Sequence, residues 1–233
     1  MKDALFTNEA QKVLFRVLIS CCHPLVRMTV GRKKHEERLL AVVKQGKDIN
    51  LSEYLNHFEF KPVMYRKLLK SASRIKKRVI DPEVVLSYFG GKLHISKITR
   101  DIAGLENEGL SEQILKEFLL LHLLMFVEVQ SVQAVNGRLS VTGIYENDGK
   151  KVVISDLAVF KADESKIKVG DHVFSHFAMV VKPEADKKLS SRILFEQARD
   201  EEFAALLREM NGKTINSRNL FTLTSKAMDE YGF

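Results

Sequence analysis

The chain has 233 residues, of which 45% are hydrophobic, and it carries a formal net charge of +7. This length and apolar content fit two modest domains with packed cores, and they exclude a disordered tail or a coiled-coil rod. No apolar run is long enough to span a bilayer, and the first six residues lack the layout of a signal peptide. We therefore expect a cytoplasmic protein (nuclear in a eukaryote) that contacts no membrane.

The cysteine content also bears on the compartment. The only two cysteines, Cys21 and Cys22, are neighbours in the sequence. Adjacent cysteines rarely form a structural disulfide, because the bridge geometry strains the short ring. A disulfide framework is therefore excluded, which fits a reducing compartment.

The positive charge is concentrated in one stretch of the chain. Residues 61–78 contain eight Lys or Arg residues and no Asp or Glu. A smaller basic cluster consists of Arg32, Lys33 and Lys34. Such asymmetry predicts a polyanionic partner.

The first half of the chain has the sequence pattern of helices. Asn8 and Gln11 resemble a capping box in front of a helix over residues 9–20, which ends before Pro24. The segment 81–83 (Asp-Pro-Glu) starts another helix, which the Gly90-Gly91 pair ends, and a hairpin over residues 84–95 is the alternative. Further helices are predicted over residues 34–44, 52–57, 62–79, 96–105 and 111–126.

The predicted helix over residues 62–79 has two distinct faces. Its apolar face carries Leu68, Ala72, Ile75 and Val79. The opposite face carries five basic residues, which are Arg66, Lys67, Lys70, Arg74 and Lys77. A solvated helix surface is one interpretation, and a cationic stripe that neutralises phosphates is the other. The lack of acidic residues in this stretch favours contact with a polyanion.

The residues before this helix resemble a helix-turn-helix. Residues 51–55, a short connection and residues 63–68 would form the helical pair, with the second helix as the recognition helix. The resemblance implies a supporting helix over residues 32–44. It also implies a DNA-facing surface made of Tyr65, Arg66, Lys70 and Arg74. The pattern departs from the family in that Phe58-Glu59 replaces the usual turn glycine.

The second half of the chain has the pattern of a small β module. Residues 127–135 and 138–145 alternate as strands around Asn136-Gly137, the strongest short hairpin signal. Further strands are predicted over residues 151–154, 157–160 and 172–181. Ser191 is predicted to cap a long helix that stops at Asn211-Gly212. The fold class is therefore α+β, with an all-α region followed by a five-stranded OB-like or SH3-like barrel and a C-terminal helix.

The run Val169-Gly170-Asp171-His172-Val173 resembles the turn-to-strand entry of many small barrels, including the hydrogenase-assembly chaperones. Those proteins begin with a Met-Cys motif that this module lacks, so the resemblance implies no function. Most of the four aromatic residues of the module are expected to fill its core, and these four are Tyr145, Phe160, Phe174 and Phe177. The module is expected to serve a protein partner or self-association, with single-stranded nucleic acid as the alternative.

No catalytic, cofactor or metal site is predicted. The chain has no glycine-rich phosphate loop and no dinucleotide fingerprint, and its histidines and cysteines lack metal-site spacing. We expect a helical domain over residues 1–126 and a barrel domain over residues 127–233. The predicted function is a non-enzymatic nucleic-acid-binding protein, in particular a transcriptional regulator, with DNA favoured over RNA. The alternative is a protein-interaction adaptor whose basic helix binds an acidic partner surface.

Overall fold

The structure is a computed structural model that describes residues 5–14, 16–17, 61–92, 94–95, 111–135, 138–177, 179–183 and 186–219. The helices predicted over residues 34–44, 52–57 and 96–105 lie outside the described residues, as do Arg32, Lys33 and Lys34. The first element of the proposed helix-turn-helix lies outside them as well.

A two-stranded parallel sheet joins the start of the chain to the segment after the basic helix. Strand β1 (Leu5–Phe6) pairs with β2 (Val79–Ile80). Helix α1 follows β1 and covers residues 8–14 and 16–17. The backbone N–H of Ala10 donates to Thr7 Oγ1 at 3.2 Å, so Thr7 caps this helix. The predicted capping box at Asn8 is therefore wrong by one residue.

Among the described residues, three longer helices follow before the barrel: α2 (Lys61–Arg74), α3 (Pro82–Gly90) and α4 (Glu112–Leu121). The helical interpretation of α3 is confirmed, because Asp81 Oδ1 accepts from the Val84 N–H at 3.0 Å. Helix α4 ends at Leu121 and not at the predicted residue 126, because Met125 already starts the first barrel strand.

Five strands close into the predicted barrel. The strands are β3 (Met125–Val135), β4 (Arg138–Asn147), β5 (Lys150–Ala158), β6 (His172–His176) and β7 (Met179–Lys182). In the order β5, β4, β3, β6 and β7, each strand is antiparallel to the one that follows it, and a parallel contact between Ala158 and Met179 joins β7 back to β5. The predicted hairpin is confirmed by the pairing of Val135 with Arg138.

Two strand boundaries differ from the prediction. Residues 150–158 form one strand, because the expected break is a bulge at which Asp156 has a φ of 61°. Residues 172–181 form two strands, because Phe177, with a φ of 52°, turns the chain and donates its N–H to the Leu121 carbonyl at 2.6 Å.

The predicted C-terminal helix is two helices, α5 (Lys187–Ala198) and α6 (Glu201–Met210). Asp186 and not Ser191 caps α5, and the N–H groups of Leu189 and Lys188 lower the pKa of its carboxyl group. Asp200 caps α6 by accepting from the Phe203 N–H. The predicted stop is confirmed, since Gly212 follows α6 with a φ of 77° and leads to β8 (Thr214–Asn216) on the edge of β5.

The described residues form two hydrophobic clusters. One fills the barrel and extends to α4 and α6 through residues such as Val127, Leu121 and Phe203. The other lies between the barrel and helices α1, α2, α3 and α5, and it joins Leu14 and Leu68 to Phe174. Apolar packing therefore crosses the predicted boundary at residue 126, while the division into domains 1–126 and 127–233 stays a prediction.

A buried ion pair also ties the first helix to the barrel. The Nη1 of Arg16 lies 2.6 Å from Asp163 Oδ2, and the two side chains are only 8% and 5% exposed. The same guanidinium lies over the Phe160 ring at 4.6 Å and donates to the Val181 carbonyl at 3.3 Å. Arg16 thus joins α1 to β7 and to the 3-10 turn that contains Asp163 (Lys161–Lys166).

We expect Arg16→Met to lower the free energy of unfolding by about 3 kcal/mol, because it leaves the Asp163 charge buried beside only one partly exposed partner, Lys166. The double variant Arg16→Met/Asp163→Leu should recover most of that loss, since the pair is then replaced by apolar groups. Urea denaturation of both variants checks this. A double variant no more stable than Arg16→Met would contradict the account.

Candidate nucleic-acid interface

Helix α2 has a buried apolar face and an exposed basic face. Leu68 and Ala72 are buried in the cluster between the helices and the barrel. Arg66, Lys70 and Arg74 recur every fourth residue and are all exposed. Of the other residues predicted to bind, Tyr65 and Lys67 are half-buried on the same helix.

Helix α2 ends five residues before its predicted end at residue 79. The Lys77 N–H donates to the Ala72 carbonyl and the Lys76 N–H donates to the Ser73 carbonyl, at 2.9 and 3.1 Å. These two bonds, with Lys76 at a φ of 58°, form a Schellman motif that stops the helix. Val79 consequently lies in β2 and not on the apolar helix face.

Lys77 therefore lies beyond the helix, and the prediction that it belongs to the helical stripe is wrong. Its Nζ forms ion pairs with Asp81 and Glu83, and the three side chains are between 28% and 33% exposed. Burial by itself lowers the pKa of Lys77. The hydrogen bonds and charges of the two carboxylates outweigh that effect and raise its pKa above the ordinary value.

Glu83 joins this cluster to helix α5. Its Oε1 accepts from the Nη1 of Arg192 at 2.8 Å, and the same guanidinium donates to the Ser87 hydroxyl. Helices α3 and α5 approach closely here, since a Cβ on Gly90 would lie 2.6 Å from Ile193 Cγ2. We call the group of Lys77, Asp81, Glu83 and Arg192 the carboxylate clamp.

The clamp separates the basic residues of 70–78 into two sets. Lys77 is bound inside it, whereas Lys70, Arg74, Lys76 and Arg78 are exposed. Those four side chains form no ion pair within the described residues. Within the described residues, Lys70, Arg74, Lys76 and Arg78 thus give helix α2 and the turn after it a surface of one sign. Sequence reasoning missed Lys76 and Arg78, because the helical wheel was continued past the real end of the helix.

Lys76 has an uncommon backbone conformation for its residue type. The left-handed region costs a residue with a Cβ roughly 1–2 kcal/mol, which is why glycine is preferred at this position of the motif. Three other described non-glycine residues share a positive φ. Asp148 precedes Gly149 in a hairpin turn, Asp156 accepts hydrogen bonds from Ser140 and Asn216, and Phe177 is buried in the core.

The barrel offers fewer features for nucleic acid. Its four candidate aromatic residues are all buried: Tyr145 and Phe177 lie in the barrel core, whereas Phe160 and Phe174 lie in the cluster between the barrel and the helices. Tyr145 donates to Gln197 Oε1 at 2.8 Å, and burial raises the pKa of its phenol group. The rings of Phe126 and His172 stack at 4.8 Å on the outside of β3 and β6, where Glu128 pairs with His172.

A buried histidine cluster lies where α3, α4 and β6 meet. The rings of His94 and His122 each lie 6.0 Å from the ring of His176, among Phe89, Phe118 and Phe177. Burial, and then the charges of the other two histidines, hold the pKa of His176 well below its ordinary value. No local sequence pattern indicates this cluster, which forms only through long-range packing.

We expect the histidine cluster to destabilise the protein in acid. Below the ordinary pKa of about 6.5, the unfolded state binds a proton at position 176 that the folded state does not, so stability falls as pH falls. This residue alone should contribute a slope approaching about 1.4 kcal/mol per pH unit. Urea denaturation between pH 7 and pH 5 checks this.

His176→Gln should show a shallower loss than the wild-type protein over that range, whereas His172→Gln, at an exposed position, serves as the control. Parallel pH profiles for the wild-type protein and His176→Gln would contradict the prediction.

Among the residues that the structure describes, no three His, Cys, Asp or Glu side chains are placed to hold a metal ion. Within the same ranges, no helix has the length and apolar character needed to cross a membrane. Comparisons with protein-family models, curated proteins and solved structures found no match for the chain.

Proposed function

We propose that this chain is a non-enzymatic nucleic-acid-binding protein and that α2 contacts the phosphate backbone. The observation that carries the proposal is the exposed single-sign surface of α2. Lys70 and Arg74 face solvent there with no ion pair in the described residues, while the nearby acidic residues Asp81 and Glu83 are already bound to other cations. Charges that are not used inside the fold remain available to a polyanion.

The spacing of these cations suits a polymer of phosphates. Residues four apart on an α-helix are separated by about 6 Å along its axis, so Lys70 and Arg74 can contact separate phosphates. Each contact releases counterions from the nucleic acid, and this release supplies most of the affinity at low salt.

Double-stranded DNA is the proposed ligand, and RNA is the less favoured one. The major groove of B-DNA admits an α-helix, whereas the deep and narrow major groove of A-form RNA does not. With α2 as the recognition helix of a helix-turn-helix, Tyr65 and Arg66 would lie beside Lys70 and Arg74 on the DNA. Arg32, Lys33 and Lys34 would add backbone contacts. This arrangement is that of a transcriptional regulator.

The barrel is proposed to serve assembly and not recognition of DNA. Its four candidate aromatic residues are buried. The exposed Glu128 pairs across the strands with the exposed His172, whose ring stacks on the half-buried Phe126. An electrically balanced surface of this kind fits a protein partner or a second copy of the chain better than it fits a polyanion.

The double variant Lys70→Ala/Arg74→Ala tests the proposal. Alanine is the best helix former, so α2 should remain intact. Hydrogen bonds to charged groups are worth about 1.5–3 kcal/mol each, and counterions replace part of that, so affinity for duplex DNA should fall at least about tenfold. Fluorescence anisotropy with a labelled duplex at low salt measures this.

The matched control is Lys168→Ala/Arg208→Ala, which removes the same charge from exposed positions on other elements. This control should bind as tightly as the wild-type protein. Equal affinities of the two double variants would contradict the proposed site. If the wild-type protein binds no nucleic acid, the proposal fails, and an acidic protein becomes the partner to test.

A further inference from the structure

We propose that the nucleic-acid site continues past the end of α2 onto Lys76 and Arg78. This inference rests on the proposed function, and it assigns two residues that lie on no helix. Both side chains are exposed, and neither forms an ion pair within the described residues.

The carboxylate clamp positions the two residues. It draws Lys77 inward to Asp81 and Glu83, and the flanking side chains of Lys76 and Arg78 are exposed. Strand β2 begins at Val79 and pairs with β1, so the segment is fixed on its other side as well. The turn therefore presents its two outer cations from a backbone that is held at both ends.

The backbone of Lys76 indicates that its side chain acts outside the protein. Glycine would adopt its left-handed conformation without strain, yet lysine occupies the position. Asp148, in the same region of φ, lies in a hairpin turn, where aspartate tolerates the conformation. Phe177 is buried in the core, and Asp156 accepts hydrogen bonds from Ser140 and Asn216. The side chain of Lys76 has no such contact among the described residues.

A lysine after a helix can also be favoured by the helix dipole, since cations stabilise the C-terminal end. Arg74 already supplies a cation in the last turn of α2. The two explanations differ in what removal of the side chain does. If the role of Lys76 is to interact with the helix dipole, loss of its side chain lowers the stability of the fold. If its role is to bind the ligand, loss of its side chain lowers the affinity for the ligand alone.

This arrangement also defines the class of ligand. Cations on α2 and on the turn after it can be neutralised together by a chain of phosphates that runs along the helix and past its end. A single phosphate ion or a mononucleotide reaches fewer of them. We assign the surface to a polymeric phosphate backbone.

Lys76→Gly tests the inference by two measurements on the full chain. The urea midpoint of unfolding should stay unchanged or rise, because glycine relieves the strained backbone. The affinity for duplex DNA should fall about threefold or more. In a titration with KCl, the slope of log K against log salt should become shallower by about 0.9, the value of one lost phosphate contact.

Arg78→Ala should by itself make the same slope shallower. Lys188→Ala, at an exposed position on α5, should leave the slope unchanged. Wild-type affinity and slope in both Lys76→Gly and Arg78→Ala would overturn the inference while leaving the proposed function intact. A lower urea midpoint for Lys76→Gly with an unchanged slope would overturn it in favour of the helix dipole. Absence of DNA binding by the wild-type protein would overturn both proposals.

Discussion

Glu83 forms ion pairs with two basic residues, Lys77 shortly before it in the chain and Arg192 on α5. These ion pairs hold the turn after α2 and the start of α3 against α5, and Gln197 on the same helix donates to the Leu124 carbonyl at the start of the barrel. Ion pairs at this degree of exposure contribute modestly to stability unless they form a network. Here the network holds Lys77 against Asp81 and Glu83 while Lys76 and Arg78 are exposed, and the geometry of the cationic surface depends on this arrangement.

The ion pairs of the described residues also show which basic residues of this chain, whose net charge is +7, contribute to the fold. Arg16 is bound by Asp163, Lys77 by the clamp and Lys116 by Glu112 and Glu209, so these cations serve the fold. Among the described residues, the carboxylates of Asp81 and Glu83 pair with Lys77 and Arg192, and they do not neutralise Lys70, Arg74, Lys76 or Arg78. A surface of positive charge, next to carboxylates that already pair with other cations, is suited to bind phosphates. Binding releases the counterions of those phosphates, and this release favours the complex.

The parts of the structure that depend on local patterns were predictable from the sequence. Alternation and the Asn136-Gly137 turn predicted the barrel hairpin, and the Asp81 cap predicted α3. The end of α2 was not predictable, because residues 71–78 contain no glycine or proline and the Schellman motif that stops the helix has a lysine, Lys76, where glycine is usual. The histidine cluster joins residues 94, 122 and 176, and no local pattern brings them together. The exposed residues Lys76 and Arg78 were not predicted to contact nucleic acid, because the end of α2 was not predicted.

The most direct measurement is acetylation of lysine side chains, followed by mass spectrometry, with and without duplex DNA. In the free protein Lys70 and Lys76 should react readily, whereas Lys77, half-buried and with a raised pKa, should react slowly. Added DNA should protect Lys70 and Lys76 and should leave the exposed Lys168 on the barrel unchanged. If Lys77 reacts as fast as Lys76, or if DNA protects neither Lys70 nor Lys76, the account of this surface is contradicted.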